Sequence, residues 1–247
     1  MAVADGEGFI KITGEVGTGK TLLCRRFLAM LESTWISAYV PNPSFEPRTL
    51  YLALAEELGI LVSATLDQHQ LVKAITRTLL DFARQKKRVV LCMDESQAMS
   101  LETLEALRLL TNLETEKRKL MQVVLFGQPE LDRKLAAPSI RQLLQRITFQ
   151  HHMQGLEESE VGAYVSHRLA VAGFTGRALL SARSLHALHR ASGGIPRVVN
   201  VLMHKSMLLA YGEGRWTVER ADIQAAACDT PAAAPLGRWW QLAFGRP

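Results

Sequence analysis

The sequence reads Gly14-Glu15-Val16-Gly17-Thr18-Gly19-Lys20-Thr21 close to its beginning, and this stretch fills every position of a phosphate-binding loop. Glycines let successive backbone N–H groups curl around the β- and γ-phosphates of a nucleotide, and the Lys20 ammonium adds a point charge. The Thr21 hydroxyl can coordinate Mg²⁺. The stretch therefore predicts a site for a nucleoside triphosphate with Mg²⁺.

The residues on either side of the loop decide between a phosphate site and a glycine-rich turn that binds nothing. Phe9-Ile10-Lys11-Ile12 is typical of a short strand entering the loop. We expect a helix directly after the loop, because apolar residues recur there at helical spacing: Leu22, Leu23, Phe27, Met30 and Leu31. Strand, loop and helix in this order are the context that a phosphate site requires.

Further along the chain, segments typical of strands alternate with segments typical of helices. The alternation predicts an α/β fold, with a mostly parallel sheet that has helices on both faces. The strands are expected at Trp35–Val40, Val89–Met93 and Gln122–Phe126, and the helices around Leu50–Leu58, Leu71–Phe82 and Leu104–Leu110. After Gln154 only helical patterns remain, so we predict an α/β domain at 1–153, a small helical domain at 154–228 and a tail at 229–247.

Composition favours an ordinary globular protein, since 48% of the residues are hydrophobic and 21% are charged. No apolar run approaches the roughly 20 residues needed to cross a bilayer. The first residues lack the apolar core of a signal peptide, so we expect a cytoplasmic protein.

The cysteines, Cys24, Cys92 and Cys228, are odd in number and widely spaced, which predicts reduced, mostly buried thiols rather than disulfides or zinc ligands. The histidines have no metal spacing, and His151-His152 is expected at the end of a strand.

Polar residues follow two of the expected strands. Asp94-Glu95 comes directly after Met93, where Asp94 can hold the Mg²⁺ shell and Glu95 can accept a proton from the attacking water. Two solvated carboxylates that cap the next helix are the alternative. Gln128 follows the next strand and could orient the attacking water, although it could equally be a turn residue before Pro129.

Two arginines are candidates for phosphate contacts. Arg197 is expected in the first turn of a helix, after Pro196, where a cation opposes the positive end of the helix dipole. Its position therefore indicates an anionic partner. Arg146 is expected at the end of a helix just before a short strand, and spacing does not select it over Arg141.

Taken together, these motifs resemble the AAA+ ATPases of the ExeA/GspA type. The likeness runs from about Gly8 to Thr230. It includes the loop at 14–21, Asp94-Glu95-Ser96-Gln97, Gln128, Arg146 and Gly193-Gly194-Ile195-Pro196-Arg197. Two more stretches, Leu107–Glu114 and Leu125–Leu131, resemble the members that serve biogenesis of the MSHA type IV pilus.

The resemblance implies a role for each candidate residue. Gly14–Thr21 would bind ATP, and Thr21 and Asp94 would hold Mg²⁺. Glu95 would be the general base of hydrolysis and Gln128 would take the sensor 1 place. The resemblance makes Arg146 the arginine finger that acts on ATP in a neighbouring subunit, and Arg197 the sensor 2 arginine of a helical lid. It thus implies a homo-oligomeric ATPase that works with pilus or secretion assembly proteins.

The alternatives differ in partner rather than in fold. One is a DNA-handling ATPase of the transposition or initiator type, but the net charge of +5 comes from dispersed basic groups that do not favour nucleic acid. Another is a nucleotide-gated adaptor with little turnover.

The two ends of the sequence raise separate questions. The tail with Trp239-Trp240 is either a loose end, a docking peptide or a contact with the inner membrane surface. The resembled proteins usually have a segment before the first strand that helps form the adenine pocket. In this sequence the expected first strand is preceded by Met1–Gly8.

Overall fold

A computed structural model describes residues 8–44, 46–62, 66–111, 114–115 and 118–234. The chain divides into two compact units. The first contains the described residues up to Glu15 and from Gly19 to Met153, and the second contains Val16–Thr18 together with the described residues from Gln154 onward. The Trp239-Trp240 motif of the tail and the Asn112-Leu113 part of the resemblance lie outside the described residues.

A five-stranded sheet forms the centre of the first unit, and all of its neighbouring strands are parallel. Its strands are β1 (Phe9–Gly14), β2 (Trp35–Val40), β3 (Arg88–Met93), β6 (Met121–Gly127) and β7 (Ile147–Met153). A separate antiparallel pair, which the sequence patterns did not predict, consists of β4 (Glu114–Thr115) and β5 (Arg118–Lys119). The order across the sheet is β2-β3-β6-β1-β7. The predicted α/β fold with a parallel sheet is therefore confirmed.

The register of the central strands brings their carboxyl ends to one edge of the sheet. Met93 at the end of β3 pairs with Leu125 of β6, and Gly127 at the end of β6 pairs with Thr13 of β1. The chain segments that follow β1, β3 and β6 therefore leave the sheet side by side. This edge is where parallel α/β sheets bind their ligands.

Helices cover both faces of the sheet, as predicted. They are α1 (Lys20–Ala29), α2 (Pro47–Glu57), α3 (Gln68–Arg84), α4 (Leu101–Leu110), α5 (Glu130–Leu135) and α6 (Arg141–Leu144), with 3₁₀ turns at Ser96–Ala98 and Pro138–Ile140. The expected apolar stripe of α3 is buried at Leu71, Ile75 and Leu79, and the helix begins with a capping box between Asp67 and Gln70. Most of the core of this unit lies between the sheet and α2 to α6.

Helix α1 covers the opposite face of the sheet and corrects one expectation. Cys24 of α1 packs there against Cys92 and other apolar residues of β1, β3 and β6. The expected apolar side of α1 is buried only in part. Leu22 is 73% and Met30 is 72% exposed, whereas Phe27 and Leu31 are partly buried against this cluster. Helical spacing predicted the helix correctly, but it identified only part of the side that packs. A hydrogen bond to Cys24, together with burial, raises the pKa of the Cys92 thiol.

The second unit is built from four helices among its described residues: α7 (Glu158–Val171), α8 (Ala182–Ser192), α9 (Pro196–Gly212) and α10 (Arg220–Cys228). Helix α10 packs against α8 and α9. The core contains Leu188, Val199, Leu202 and Ile223, all of which are fully buried. The predicted helical region after the sheet is therefore present.

The three cysteines and the adjacent histidines all lie in the described part of the chain. All three cysteines are free, but Cys228 is exposed while Cys24 and Cys92 are buried. His151 and His152 lie within β7. In the part of the chain that the structure describes, no group of three or more His, Cys, Asp or Glu side chains could hold a metal ion. No helix in the described ranges is long and apolar enough to cross a membrane.

Candidate functional site

The phosphate-binding loop connects β1 directly to α1. Gly19 precedes the first residue of the helix with φ of 100°, and Gly17 has φ of 87°, both in the left-handed region that glycine adopts without strain. No side chain caps the start of α1, and its first turn contains no acidic residue. The N–H groups and the positive dipole end of this helix are thus available to an anion.

Lys20 is buried at the start of α1 and is held by the loop itself. Its Nζ donates to the carbonyl oxygens of Gly14 at 2.8 Å and Glu15 at 2.9 Å. Burial lowers the pKa of Lys20 from 10.5, while the negative charges of Glu95 and Asp94 oppose this shift. The ammonium group is therefore positioned before a ligand arrives, and two carboxylates lie close enough to act on it.

Asp94 and Glu95 leave the sheet at the end of β3. Asp94 is only 2% exposed, its N–H donates to the carbonyl oxygen of Val40, and its Oδ1 accepts the N–H of Glu95 at 3.0 Å. Glu95 has φ of 50°, a left-handed conformation that costs an L-residue about 1–2 kcal/mol. The alternative of two solvated carboxylates does not describe Asp94, because its side chain is buried. Thr21, half-buried in the first turn of α1, offers a second oxygen of the kind that Mg²⁺ prefers.

The Glu95 carboxylate is fixed by two amide side chains. Gln128 follows the last residue of β6, and its Nε2 donates to Glu95 Oε2 at 3.2 Å. Gln97 donates its Nε2 to the same oxygen at 2.5 Å. Gln97 belongs to the Asp94-Glu95-Ser96-Gln97 stretch of the family resemblance, but no role for it was predicted from the sequence. Its spacing from Glu95 alone does not reveal this contact, because the contact depends on the turn that follows the strand.

The two candidate arginines lie in different units, Arg146 in the first and Arg197 in the second. Arg146 is half-buried between α6 and β7, and Arg197 is exposed in the first turn of α9 after Pro196. Neither guanidinium group makes a hydrogen bond or ion pair with any residue that the structure describes. Arg141, the other candidate for the role of Arg146, lies exposed in α6.

Within the second unit, the glycines before Arg197 have a structural cause. Leu156 donates its N–H to the carbonyl oxygen of Gly194 at 2.8 Å. Gly194 has φ of 70°, and a Cβ added there would lie 2.1 Å from the carbonyl oxygen of Leu156. The main-chain N–H of Arg197 donates to the carbonyl oxygen of Gly17 at 3.3 Å. Close backbone approach therefore explains Gly194 without a ligand.

Comparison with known proteins gives a family match and a long relative. A family model described as an AAA domain matches residues 3–135, which is more than half of the chain. General secretion pathway protein A of Aeromonas hydrophila is 41% identical over 235 residues, which are 95% of this chain and 43% of that protein. The chain thus spans less than half the length of this relative.

Solved structures share the fold at low sequence identity. Cdc6p from Pyrobaculum aerophilum has a TM-score of 0.68 and 16% identity, covering 97% of this chain and 64% of its own. The ORC2 protein of Aeropyrum pernix, solved as ADPNP-ADP complexes, has a TM-score of 0.64 and 17% identity, covering 94% and 65%. The Holliday junction motor RuvB of Thermotoga maritima has a TM-score of 0.53 and 12% identity, covering 91% and 63%. The matched family model, together with the sheet order and the loop geometry, shows that the chain belongs to the AAA domain family and has the P-loop AAA+ fold.

Proposed function

We propose that the protein binds and hydrolyses ATP with Mg²⁺ as an oligomer, in support of a secretion system or a type IV pilus. The observation that carries the proposal is the Glu95 carboxylate. It is held at the end of β3 by Gln128 from the end of the adjacent β6, in the same unit as the buried Lys20. A carboxylate beside a phosphate-binding loop is where a hydrolysing enzyme of this class places its base.

The loop and the start of α1 bind the phosphates. The ammonium group of Lys20 exchanges its contacts with Gly14 and Glu15 for contacts with the β- and γ-phosphates, which are stronger acceptors. Thr21 and Asp94 would hold Mg²⁺ through their side-chain oxygens, and a bound Mg²⁺ would neutralise charge that develops on the phosphates.

Glu95 acts as the general base. Its Oε2 accepts both amide hydrogen bonds, while its Oε1 takes no hydrogen bond from any described residue. The free oxygen is available to accept a proton from the attacking water. Gln128, whose amide lies beside this carboxylate, helps to orient that water.

Two arginines complete the site in the assembled protein. Arg146 acts on ATP bound by a neighbouring subunit, and Arg197 contacts the phosphates from the first turn of α9. Support for these roles comes from the lack of any partner for either guanidinium group among the described residues. An arginine that stabilises charge in trans makes turnover depend on assembly.

The cellular role rests on the relative rather than on the site. The 41% identity to general secretion pathway protein A favours a secretion-related ATPase, and biogenesis of the MSHA type IV pilus is the more specific form of this proposal. Its partners would be assembly proteins of the secretion or pilus machinery, reached from the cytoplasm or at the inner membrane surface.

The test measures ATP hydrolysis against protein concentration for the wild type and for Glu95→Gln. We expect cooperative turnover in the wild type and a loss of about 10²–10⁴-fold in the variant, with ATP affinity retained, because only the proton acceptor is removed. Parallel assays with duplex DNA examine the DNA-handling alternative. Wild-type turnover that did not rise with concentration would contradict the oligomer, and salt-sensitive stimulation by DNA would favour the alternative.

A further inference from the structure

Gln97 lies between Glu95 and Gln128 and is hydrogen-bonded to both. Its Nε2 donates to Glu95 Oε2 at 2.5 Å, and its Oε1 accepts the main-chain N–H of Gln128 at 3.0 Å. The two partners fix the orientation of the amide group, because its nitrogen must face the carboxylate and its oxygen must face the N–H. One side chain thereby joins the turn after β3 to the segment after β6.

Lys134 holds the backbone of the same turn. Its Nζ donates to the carbonyl oxygens of Gln97 at 2.5 Å and Met99 at 2.7 Å. Lys134 belongs to α5, the helix that follows β6, and Met99 is fully buried. A shift of the turn would therefore break charge-assisted hydrogen bonds, which are stronger than neutral ones.

Gly127, at the end of β6, lies next to the amide group of Gln97. A Cβ added at this last residue of β6 would lie 3.4 Å from Gln97 Oε1 and 2.8 Å from a methyl group of Leu131. A larger residue would have to displace the Leu131 side chain, whereas its Cβ would be in ordinary van der Waals contact with the Gln97 amide. The sequence at the end of β6 is thus compatible with a glutamine amide at this place.

The arrangement has a consequence for the base. Glu95 has left-handed backbone torsion angles, which persist only where the surroundings impose them. We propose that Gln97 is a positioning residue for Glu95. Its amide fixes one carboxylate oxygen and leaves the other available to the attacking water, and Lys134 holds the turn that presents the amide. The inference rests on the proposed hydrolysis of ATP.

The first test is Gln97→Ala in the full chain. We expect kcat to fall about 10-fold to 100-fold, as for other misplaced catalytic groups, while the Kd for ATP changes less than about twofold. In the Glu95→Gln background the same substitution should change the residual turnover by less than about twofold, because the group that Gln97 positions is already gone. A further loss in that background would overturn the inference.

The second test is the pH profile of Gln97→Glu, which keeps the length of the side chain. The introduced carboxyl group repels Glu95 when it is ionised, but when protonated it reproduces the donor and acceptor of the amide. Turnover relative to the wild type should therefore rise several-fold as the pH falls from about 8 to about 5. A ratio that stayed constant over this range would contradict the inference, even if Gln97→Ala failed to fold.

Two further substitutions complete the design. Lys134→Met should also lower kcat, but by less than Gln97→Ala does. This substitution removes the hydrogen bonds that hold the turn after β3 but leaves the Gln97 amide in place. Gln85→Ala, at an exposed glutamine that follows α3, is the matched control and should have wild-type kinetics. Wild-type kcat in a folded Gln97→Ala protein, beside an inactive Glu95→Gln, would overturn the inference alone. Absence of turnover in the wild type would overturn both proposals.

Discussion

The carboxylate of Glu95 and the guanidinium group of Arg146 belong to the same unit, but only the carboxylate has hydrogen-bond partners among the described residues. Glu95 accepts hydrogen bonds from Gln97 and Gln128. The side chain of Arg146 makes no hydrogen bond or ion pair with the residues that the structure describes. We infer that each chain positions its own Glu95 carboxylate, whereas the guanidinium group of Arg146 gains a partner only when the protein assembles.

Two arginines of the second unit differ in the same way. Arg215 donates to both oxygens of Asp222, at 2.9 and 2.7 Å, and also to Glu213. Arg197 lies exposed at the first turn of α9, where its charge opposes the helix dipole. An arginine that stabilises a fold has its acceptors within the fold, and an arginine without them is available to a ligand. Substitution of each kind of arginine should therefore have different effects on turnover and on stability.

The largest effect is expected from Arg146→Ala. If Arg146 stabilises the transition state in a neighbouring subunit, turnover at saturating protein should fall about 10³-fold or more. The melting temperature should not change, because the guanidinium group has no hydrogen-bond or ion-pair partner among the described residues to lose. Arg141→Ala, at an exposed arginine of α6, is the matched control and should retain turnover. Full turnover in Arg146→Ala would show that the arginine finger is elsewhere.

A smaller effect is expected from Arg197→Ala. Removal of a charge-assisted contact with phosphate costs about 1.5–3 kcal/mol, so the Kd for ATP should rise about 10-fold to 100-fold. Binding of a fluorescent ATP analogue measures this change. Arg220→Ala, an exposed arginine in the same unit, should bind as the wild type does. An unchanged Kd in Arg197→Ala would remove Arg197 from the nucleotide site.

Asp222 should affect stability rather than turnover. It is 4% exposed and accepts hydrogen bonds from Arg215 and from the N–H of Glu219, so Asp222→Ala should lower the free energy of unfolding by about 1.5 kcal/mol. The hydrogen bond from Arg215 lowers the pKa of Asp222 from 3.8. Its contribution is therefore complete above that value and is lost as the pH falls through the lower, folded-state pKa. Urea unfolding at neutral and acidic pH should show the difference between variant and wild type shrinking in acid.

The smallest effect concerns the burial of Lys20. Since burial lowers its pKa from 10.5, the unfolded chain keeps this proton at alkaline pH values where the folded chain has lost it. The free energy of unfolding of the wild type, relative to Lys20→Met, should therefore rise with pH toward 10.5. Unfolding of both proteins in urea between about pH 8 and this limit measures the slope. A flat or falling difference would mean that Lys20 is not desolvated in the folded protein.

The parts of the fold that were predictable from sequence are those governed by local spacing. The unbroken apolar run at Val89–Met93 is buried in the sheet as expected, and the stripe at Leu71, Ile75 and Leu79 is buried on α3. Spacing was only partly right for α1, where Phe27 is partly buried but Leu22 is exposed and the lysine that starts the helix is buried. An apolar side chain indicates that its burial would be favourable. The elements that pack against a helix determine which side of that helix is buried.

The candidate site follows the same division. Gly14–Thr21 and Asp94-Glu95 could be found from sequence, because a backbone loop for phosphate and carboxylates after a buried strand are local features. Gln97 and Lys134 could not be given a role in this way. Their contacts join the segments after β3 and β6, and those segments become neighbours only when the two strands pair.

The sequence by itself determined the ligand class expected of the loop, the alternation of strands and helices, and the family resemblance, since each depends on residues that are close together in the chain. Tertiary structure decided which side of α1 is buried and which groups hold Glu95. It also decided which guanidinium groups have acceptors: that of Arg215 is bound to Asp222, and that of Arg197 has no partner among the described residues. The physical reason is that burial and hydrogen bonding depend on where distant segments meet, and sheet pairing and helix packing set those positions.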